Sequence, residues 1–404
     1  MSTPARSPFR LRSVALAAYG PTVVASMGHG AVLPVLALRA RELGADVSTA
    51  ALVVGMLGVG MLLASLPAGA VVARIGERRT LLVGGFVDGA ALLTAAATTT
   101  VVGLGAAVAA SGMAWTAFLI ARQGYLIDAV PAAYRARAMS VLGGSHRVGL
   151  LVGPLLGALF ISLTDLRAAF VLAAVLTVSA GLLARAMPDL GSGDRAQQRA
   201  AGHVSVRSVL QAHRRTLLTL GVAVVVIGAS RSVRAVLLPL WADQVGVSAS
   251  TTSLIFAVAA AVDIVFFFPG GWLMDTRGRA VVAVPVVLTV AVGALLLPLT
   301  GGVAGLAAVT CLIAVGNGLG SGIVMTLGAD SAPVVGRAQF LGGWRLCGDI
   351  GNTGGPLLVG LVASVAPLAL ASVALGVAGL VGTVWVGYWT RRVDRERAEQ
   401  DRPG

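Results

Sequence analysis

Apolar runs of spanning length recur along the whole chain with arginines clustered between them, and no other feature so narrows what the chain can fold into. In the first half the runs cover about 14–38, 48–73, 80–98, 101–127, 138–163 and 166–187. Six more cover 216–242, 250–274, 280–298, 302–329, 338–364 and 366–390. Each can supply the ~20 helical residues that cross a ~30 Å hydrocarbon layer at 1.5 Å per residue. Charged residues make up 12% of the chain, about half of what a soluble domain needs to keep its surface wet. The reading is an all-α membrane protein of twelve transmembrane helices.

Arginine placement orients the spans, because cytoplasmic loops retain positive charge. All 30 basic residues are Arg. With both termini inside, 22 fall in the tails, the even-numbered loops and the central linker, against Arg39, Arg41 and Arg167 in the opposite loops. The expected location is the cytoplasmic (inner) membrane, multi-pass, both ends cytoplasmic. The net charge of +13 is thereby a topology signal, and no basic face for nucleic acid is indicated. The run behind Arg6, Arg10 and Arg12 is too long for a signal peptide and reads as a retained first helix. The expected organisation is a tail at 1–13, a six-helix bundle at 14–187, a flexible linker at 188–215, a second bundle at 216–390 and a frayed tail at 391–404.

The second half repeats the first at an offset of 202 residues. Gly44, Ser48, Gly69 and Gly76 map to Gly246, Ser250, Gly271 and Gly278. Asp128, Pro131 and Arg135 map to Asp330, Pro333 and Arg337; Gly149, Gly153 and Pro154 map to Gly351, Gly355 and Pro356. Two parallel, pseudo-symmetric six-helix bundles around a central interface are a transporter plan.

The loop after the second run reads GAVVARIGERR, Gly69 to Arg79, and its repeat reads GWLMDTRGR, Gly271 to Arg279. Both resemble the signature loop of the major facilitator superfamily, G-x-x-x-D-R-x-G-R-R. Asp275 supplies the acid in the second copy, while Ala73 replaces it in the first. The fifth run carries GLLVGPLLGA, Gly149 to Ala158, similar to the superfamily's antiporter motif, with a looser echo at Gly351 to Gly360. That likeness points to the drug or metabolite:proton antiporter branch. Physically, Gly69 and Gly271 are expected to let helices pack closely, and Gly76 and Gly278 to take the positive φ of a tight turn. Arg74, Arg78 and Arg279 lie in or beside the same turns, Arg78 anchoring on the anionic side of the bilayer. Asp275 is expected to pair with Arg135 or Arg137 as a gate. Asp128 and Asp330, each followed by Pro and then Arg135 or Arg337, suit either gating ion pairs or loop capping. Pro154 and Pro356 break a backbone bond and bend their helices, with Gly149, Gly153, Gly157 and Gly355 as packing positions.

Charges within spans are the most telling residues, since each costs at least ~2.5–3.5 kcal/mol at mid-bilayer on insertion scales. They are Asp88, Arg122, Arg147, Arg231, Arg234, Asp263, Arg345 and Asp349, with His29 and His146 beside them. Arg345 and Asp349 share a helix face, as do Arg231 and Arg234. Asp88 has no evident role. The resemblance implies that the first, fourth, seventh and tenth helices line a cavity, making His29, Arg231 and Arg234 candidates for it. It also sets the fifth helix beside the eighth, so that Arg147 faces Asp263. Asp263 and Asp349 are the expected proton carriers, since burial and nearby Arg pull a carboxylate in opposite directions.

Enzyme chemistry finds no footing. With no Lys there is no phosphate-binding GxxxxGK[ST] loop. Cys311, Cys347 and the four histidines form no metal-type spacing, so no metal or cofactor is expected. GNGLGSG, Gly316 to Gly322, lies in an apolar span and reads as helix packing. The expectation is a monomeric secondary transporter exchanging a small solute for protons by alternating access, an efflux antiporter. An uptake symporter or uniporter, and a non-transporting receptor or scaffold of the same fold, are the alternatives. The arginine-rich interior favours an anionic or zwitterionic solute.

Overall fold

Two loops 202 residues apart close with the same hydrogen bonds. Ala45 N–H donates to Ala40 C=O at 3.0 Å, and Val247 N–H to Ala242 C=O at 2.8 Å. Asp46 then caps the next helix by accepting from Thr49 N–H at 2.7 Å, and Ser248 does so from Thr251 N–H at 3.2 Å. A side-chain oxygen at the N-cap satisfies one of the free N–H groups there, so either residue type serves. Among the described residues the positive-φ positions are Gly44, Gly76, Gly246 and Gly278, two pairs at that same offset.

The computed structural model describes residues 11–130, 135–187, 206–333 and 337–400. Its first half holds α1 (Leu11–Val32), α2 (Val47–Ile75), α3 (Glu77–Ala97), α4 (Val101–Ala129), α5 (Arg135–Leu163) and α6 (Arg167–Leu183). A tight turn at Leu33–Val35 around Pro34 joins α1 to a short helix, Leu36–Glu42. The second half holds α7 (Val222–Gln244), α8 (Ala249–Arg277), α9 (Ala280–Leu296), α10 (Val303–Leu319), α11 (Arg337–Ala363) and α12 (Leu368–Gln400). Among the described residues, eleven helices are long and apolar enough to cross a membrane. At 27 residues α11 has the length, but Arg345, Asp349, Asn352 and Thr353 leave it too polar to count.

Three expectations about segments change. Residues 206–215, placed in a flexible linker, are helical at Val206–Ala212 and Arg214–Thr216; positions 188–205 of that linker lie outside the described residues. The tail from Arg391 is no frayed end up to Gln400, because it continues α12. Positions 1–10 and 401–404 also lie outside. The run at 302–329 breaks at Gly320–Gly322 and resumes as Ile323–Ser331, since the closely spaced Gly316, Gly318, Gly320 and Gly322 hold helix poorly.

Helix pairings recur between halves. In the first, α1 packs on α5 and α6, α2 on α4, and α3 on α4 and α6; in the second, α7 packs on α11, α8 on α10, and α9 on α10 and α12. The halves meet where α2 packs on α11 and α5 on α8, as the resemblance implied. Glycines make the approach close: a Cβ on Gly153 would lie 2.3 Å from Met27 O of α1, and one on Gly351 2.2 Å from Val225 O of α7.

Buried apolar side chains separate the two ends. Around the Gly44 and Gly246 loops a single cluster runs through both halves, from Val35 and Leu36 to Val236 and Trp241. Towards Gly76 and Gly278 there are two clusters, each confined to one half, around Trp115 and Phe118 and around Phe340 and Trp344. Among the described residues, the buried apolar side chains join the halves at the Gly44 end and keep to one half each at the Gly76 end.

Candidate functional site

A cavity of about 280 Å³ lies between the halves. Its first-half wall is apolar, with Leu33, Leu57, Leu150 and Pro154, whereas Arg231, Arg234 and Asp263 supply charge from the second. α7 brings both arginines to one face at i, i+3. Arg231 Nη2 donates at 2.6 Å to the carbonyl of Gly320, in the break after α10, which also accepts from Ile323 N–H at 3.1 Å. Its Nε is buried without a partner.

Asp263 of α8 holds the halves together at the same depth. Its Oδ2 accepts from Asn317 Nδ2 at 3.0 Å and lies 3.2 Å from Arg147 Nη1 on α5. The N–H of that Nη1 is not directed at the carboxylate, so the contact is an ion pair without a hydrogen bond. The Arg147 guanidinium also sits 4.5 Å over the Phe267 ring. Asp263 Oδ1 is buried and unpartnered. The cavity wall therefore carries charge of both signs, from Arg231 and Arg234 and from Asp263, complementary to a ligand bearing both signs.

His29 does not join this cavity. It turns into the first bundle, where Nε2 lies 2.8 Å from Asp88 Oδ2, and it lines a separate cavity of about 210 Å³. Asp88, unplaced by sequence reasoning, is 3% exposed and accepts from Ser111 Oγ at 2.5 Å. Trp115 lies against the His29 ring at 3.9 Å between centroids. His146 Nδ1 is 2.7 Å from Ser26 Oγ.

At the Gly76 end, Arg279 and Asp330 pair at 3.0 Å. Asp394 of α12 accepts from the N–H groups of Arg279 at 2.7 Å and Ala280 at 2.9 Å, which fixes the start of α9. Arg78 Nη2 donates to Arg185 C=O at 2.5 Å, and Arg74 is exposed. Gly76 and Gly278 have φ of 87° and 96°, as the turn requires. A Cβ at Gly69 or Gly271 meets nothing within 4 Å among the described residues. Asp275 is exposed and has no ion pair among the described side chains. The side chains of Asp128, Arg135, Arg137 and Arg337 lie outside the described residues. Arg345 and Asp349 approach to 3.9 Å within α11. Gly149 and Gly157 pack against α1, and Gly355 against α7; Pro154 and Pro356 line the central cavity.

Sequence reasoning missed Arg41, Asp243, Asn317, Ser111 and Asp394 as functional positions. Arg41 and Asp243 carried a usable signal, opposite charges at the repeat offset. Asn317 and Ser111 carried none, being small polar residues in apolar helices.

The family profile described as Major Facilitator Superfamily matches residues 22–226 and 220–404. Among solved structures, a peptide transporter POT in complex with sulfate aligns with a TM-score of 0.77 at 15% identity, over 98% of this chain and 97% of that one. A POT family transporter in complex with 5-aminolevulinic acid aligns with a TM-score of 0.69 at 15% identity, over 95% and 96%. A variant of the nucleoside transporter NupG aligns with a TM-score of 0.73 at 12% identity, over 93% and 99%. At these identities the likeness is one of fold. No curated protein sequence matches the chain. Family profile, helix pairings and interfacial cavity together place the chain in the Major Facilitator Superfamily, as a multi-pass membrane transporter.

Proposed function

We propose that the protein is a secondary transporter with twelve spans in two six-helix bundles, moving a small zwitterionic or anionic solute by alternating access. The observation carrying this is the charged wall of the central cavity, where Arg231 Nε and Asp263 Oδ1 are both buried and unpartnered. A ligand bearing a carboxylate and an ammonium would match the two signs of charge that Arg231, Arg234 and Asp263 place on that wall. The structural neighbours solved with sulfate and 5-aminolevulinic acid agree in ligand charge with this reading. The state described, parted at the Gly76 end, would admit solute from that side, which the arginine bias places in the cytoplasm.

Coupling to protons is the second part of the proposal. Protonating Asp263 would remove its attraction for Arg147 and loosen α5 from α8, so a proton from outside could favour release and reopening. Efflux against inward proton flow follows from that order, with Asp349 as a secondary carrier. Counterflow in proteoliposomes tests the reading. Vesicles preloaded with a mixture of amino acids, short peptides and nucleosides should accumulate labelled solute of one of these classes, and D263N should keep exchange but lose acceleration by a pH gradient. Absence of exchange with any zwitterion or anion would overturn it.

A further inference from the structure

A groove of about 640 Å³ runs between α9 and α12 at the Gly278 end, away from the solute cavity. Its inner part is apolar, with Val284 of α9 facing Val384, Gly387 and Tyr388 of α12. Its outer part is basic, with Arg391, Arg392 and Arg395. Spacing explains this order: Val377, Val381, Val384, Tyr388, Arg391 and Arg395 recur every three or four residues, so they share one face of α12. The first four of these are each more than half exposed. A Cβ on Gly387 would lie 3.2 Å from Val284 Cγ2, so the helices approach there with no side chain to fill the groove.

The acids that could neutralise the basic end are engaged elsewhere. Asp394 accepts from the N–H groups of Arg279 and Ala280, which also fixes α12 against α9 beside the groove. Glu396 pairs with Arg392 at 2.9 Å, and the Arg392 guanidinium lies 5.6 Å from the Trp389 ring centroid. Arg391 and Arg395 are exposed and make no hydrogen bond or ion pair among the described residues, and Glu399 bonds to neither. At the matching positions of the first half, Gly387 is Arg185, Tyr388 is Ala186, Arg391 is Asp189 and Arg395 is Gly193. The tyrosine and the two arginines therefore belong to the second half alone.

We infer that this groove binds one anionic phospholipid of the adjacent leaflet, with its phosphate between Arg391 and Arg395 and an acyl chain along Val384. Depth supports the assignment. Tyr388 ends the apolar part, where aromatic side chains meet lipid headgroups. Arg391 lies ~5 Å and Arg395 ~10 Å further out at 1.5 Å per residue, and the headgroup layer is roughly 5–7 Å thick on each side. Arg391 thus stands at phosphate depth, and the long stem of Arg395 lets its guanidinium reach back to the same level. Guanidinium N–H groups match phosphate oxygens in charge and geometry. A soluble anion would meet the same arginines but gain nothing from the apolar floor between Val284 and Val384. The arginine bias places this end in the cytoplasm, and the cytoplasmic leaflet is the one that carries anionic lipid.

Solute plays no part in this site, so its test is independent of the transport reading. Full-length protein, delipidated in neutral detergent, is titrated with phosphatidylglycerol or phosphatidylcholine, and bound lipid is counted by native mass spectrometry. Wild type should hold one phosphatidylglycerol about thirtyfold more tightly than R391Q with R395Q, matching ~2 kcal/mol for two arginines at ~1 kcal/mol each. R79Q with R185Q removes two exposed arginines from the corresponding end of the first bundle and should bind like wild type. Phosphatidylcholine should not distinguish wild type from R391Q with R395Q. Equal loss in both double variants would mean diffuse surface charge, and equal affinity for the two lipids would mean no anion site; either overturns the inference. Displacement of phosphatidylglycerol by millimolar inorganic phosphate would assign the arginines to a soluble anion and overturn it as well. Should the R391Q, R395Q protein fail to fold, the single variants decide, each expected to lose about fivefold.

Discussion

Arg41 and Asp243 occupy the same register position in the two halves, 202 residues apart, and meet as an ion pair of 3.1 Å between Nε and Oδ2. The repeat offset thus brings corresponding loop ends face to face, and opposite charges turn that meeting into a clasp. Both side chains are more than a third exposed, so the pair is worth about 0–1 kcal/mol. A clasp this weak biases a conformational equilibrium without locking it. D243A should raise the population open at the Gly44 end by up to about fivefold, read as distances between spin labels at Ser48→Cys and Gln244→Cys, with Cys311 and Cys347 changed to Ser. The charge-reversed double variant, R41D with D243R, should restore the wild-type distribution. Equal distributions in the single variant and wild type would remove the clasp.

The Arg147–Asp263 pair lies deeper and should matter more. Removing one partner strands the other charge, which typically costs about 3–5 kcal/mol for a fully buried pair; partial exposure of 15–18% and the missing hydrogen bond set a lower expectation of about 1–3 kcal/mol. R147A should therefore lower thermal stability in detergent more than R147A with D263A together, a non-additivity that marks direct contact. Additive losses would mean the charges do not interact.

Glycines of the two resembled motifs should respond in opposite ways. Gly153→Val must displace backbone, because even a Cβ would sit 2.3 Å from Met27 O, and overpacking of this kind costs about 1–3 kcal/mol. Gly69→Ala, in the last two turns of α2, meets nothing within 4 Å among the described residues and should stabilise by up to about 1 kcal/mol through helix propensity. Melting temperatures of the two purified variants check both directions at once.

Acid should weaken the start of α2. Hydrogen bonds from the Thr49 side chain and N–H hold the Asp46 carboxyl below its ordinary value, with Ser48 and Arg41 adding smaller contributions. A depressed carboxyl contributes stability that is full above its unfolded value near 4 and is lost as pH falls through the lower folded value. D46A should cost about 1 kcal/mol at pH 7, and the gap between it and wild type should narrow by pH 3. A gap that stays constant would assign the loss to something other than the ionised cap.

Asp394 ties the end of α12 to the first turn of α9. D394A should release the segment after Arg391 to trypsin at least several-fold faster, while exchange activity persists. Unchanged digestion would show that other contacts of α12 hold it.

The architecture was legible because lipid imposes a one-dimensional code. A span needs its run of apolar residues whatever it touches, and arginines between runs report the side of the membrane. The offset of 202 was visible as well, since Gly44, Gly76 and their partners meet a local backbone demand that no other residue meets cheaply. Where a requirement was tertiary, the motif alone did not decide: Gly69 and Gly271 resemble packing glycines, but among the described residues nothing comes within 4 Å of a Cβ at either. Asp88 looked anomalous for the same reason, as its partners, His29 and Ser111, are 59 and 23 positions away.

By itself the chain determined that it must fold as membrane-spanning helices, because hydropathy, loop charge and glycine turns act locally. Only the tertiary structure decided which buried charges meet. His29 went to Asp88 and away from the solute cavity, while Asp263 was left with one oxygen free. Those outcomes depend on helix rotation and depth, where one residue's shift turns a side chain by 100°, and hydrophobicity alone constrains neither closely enough.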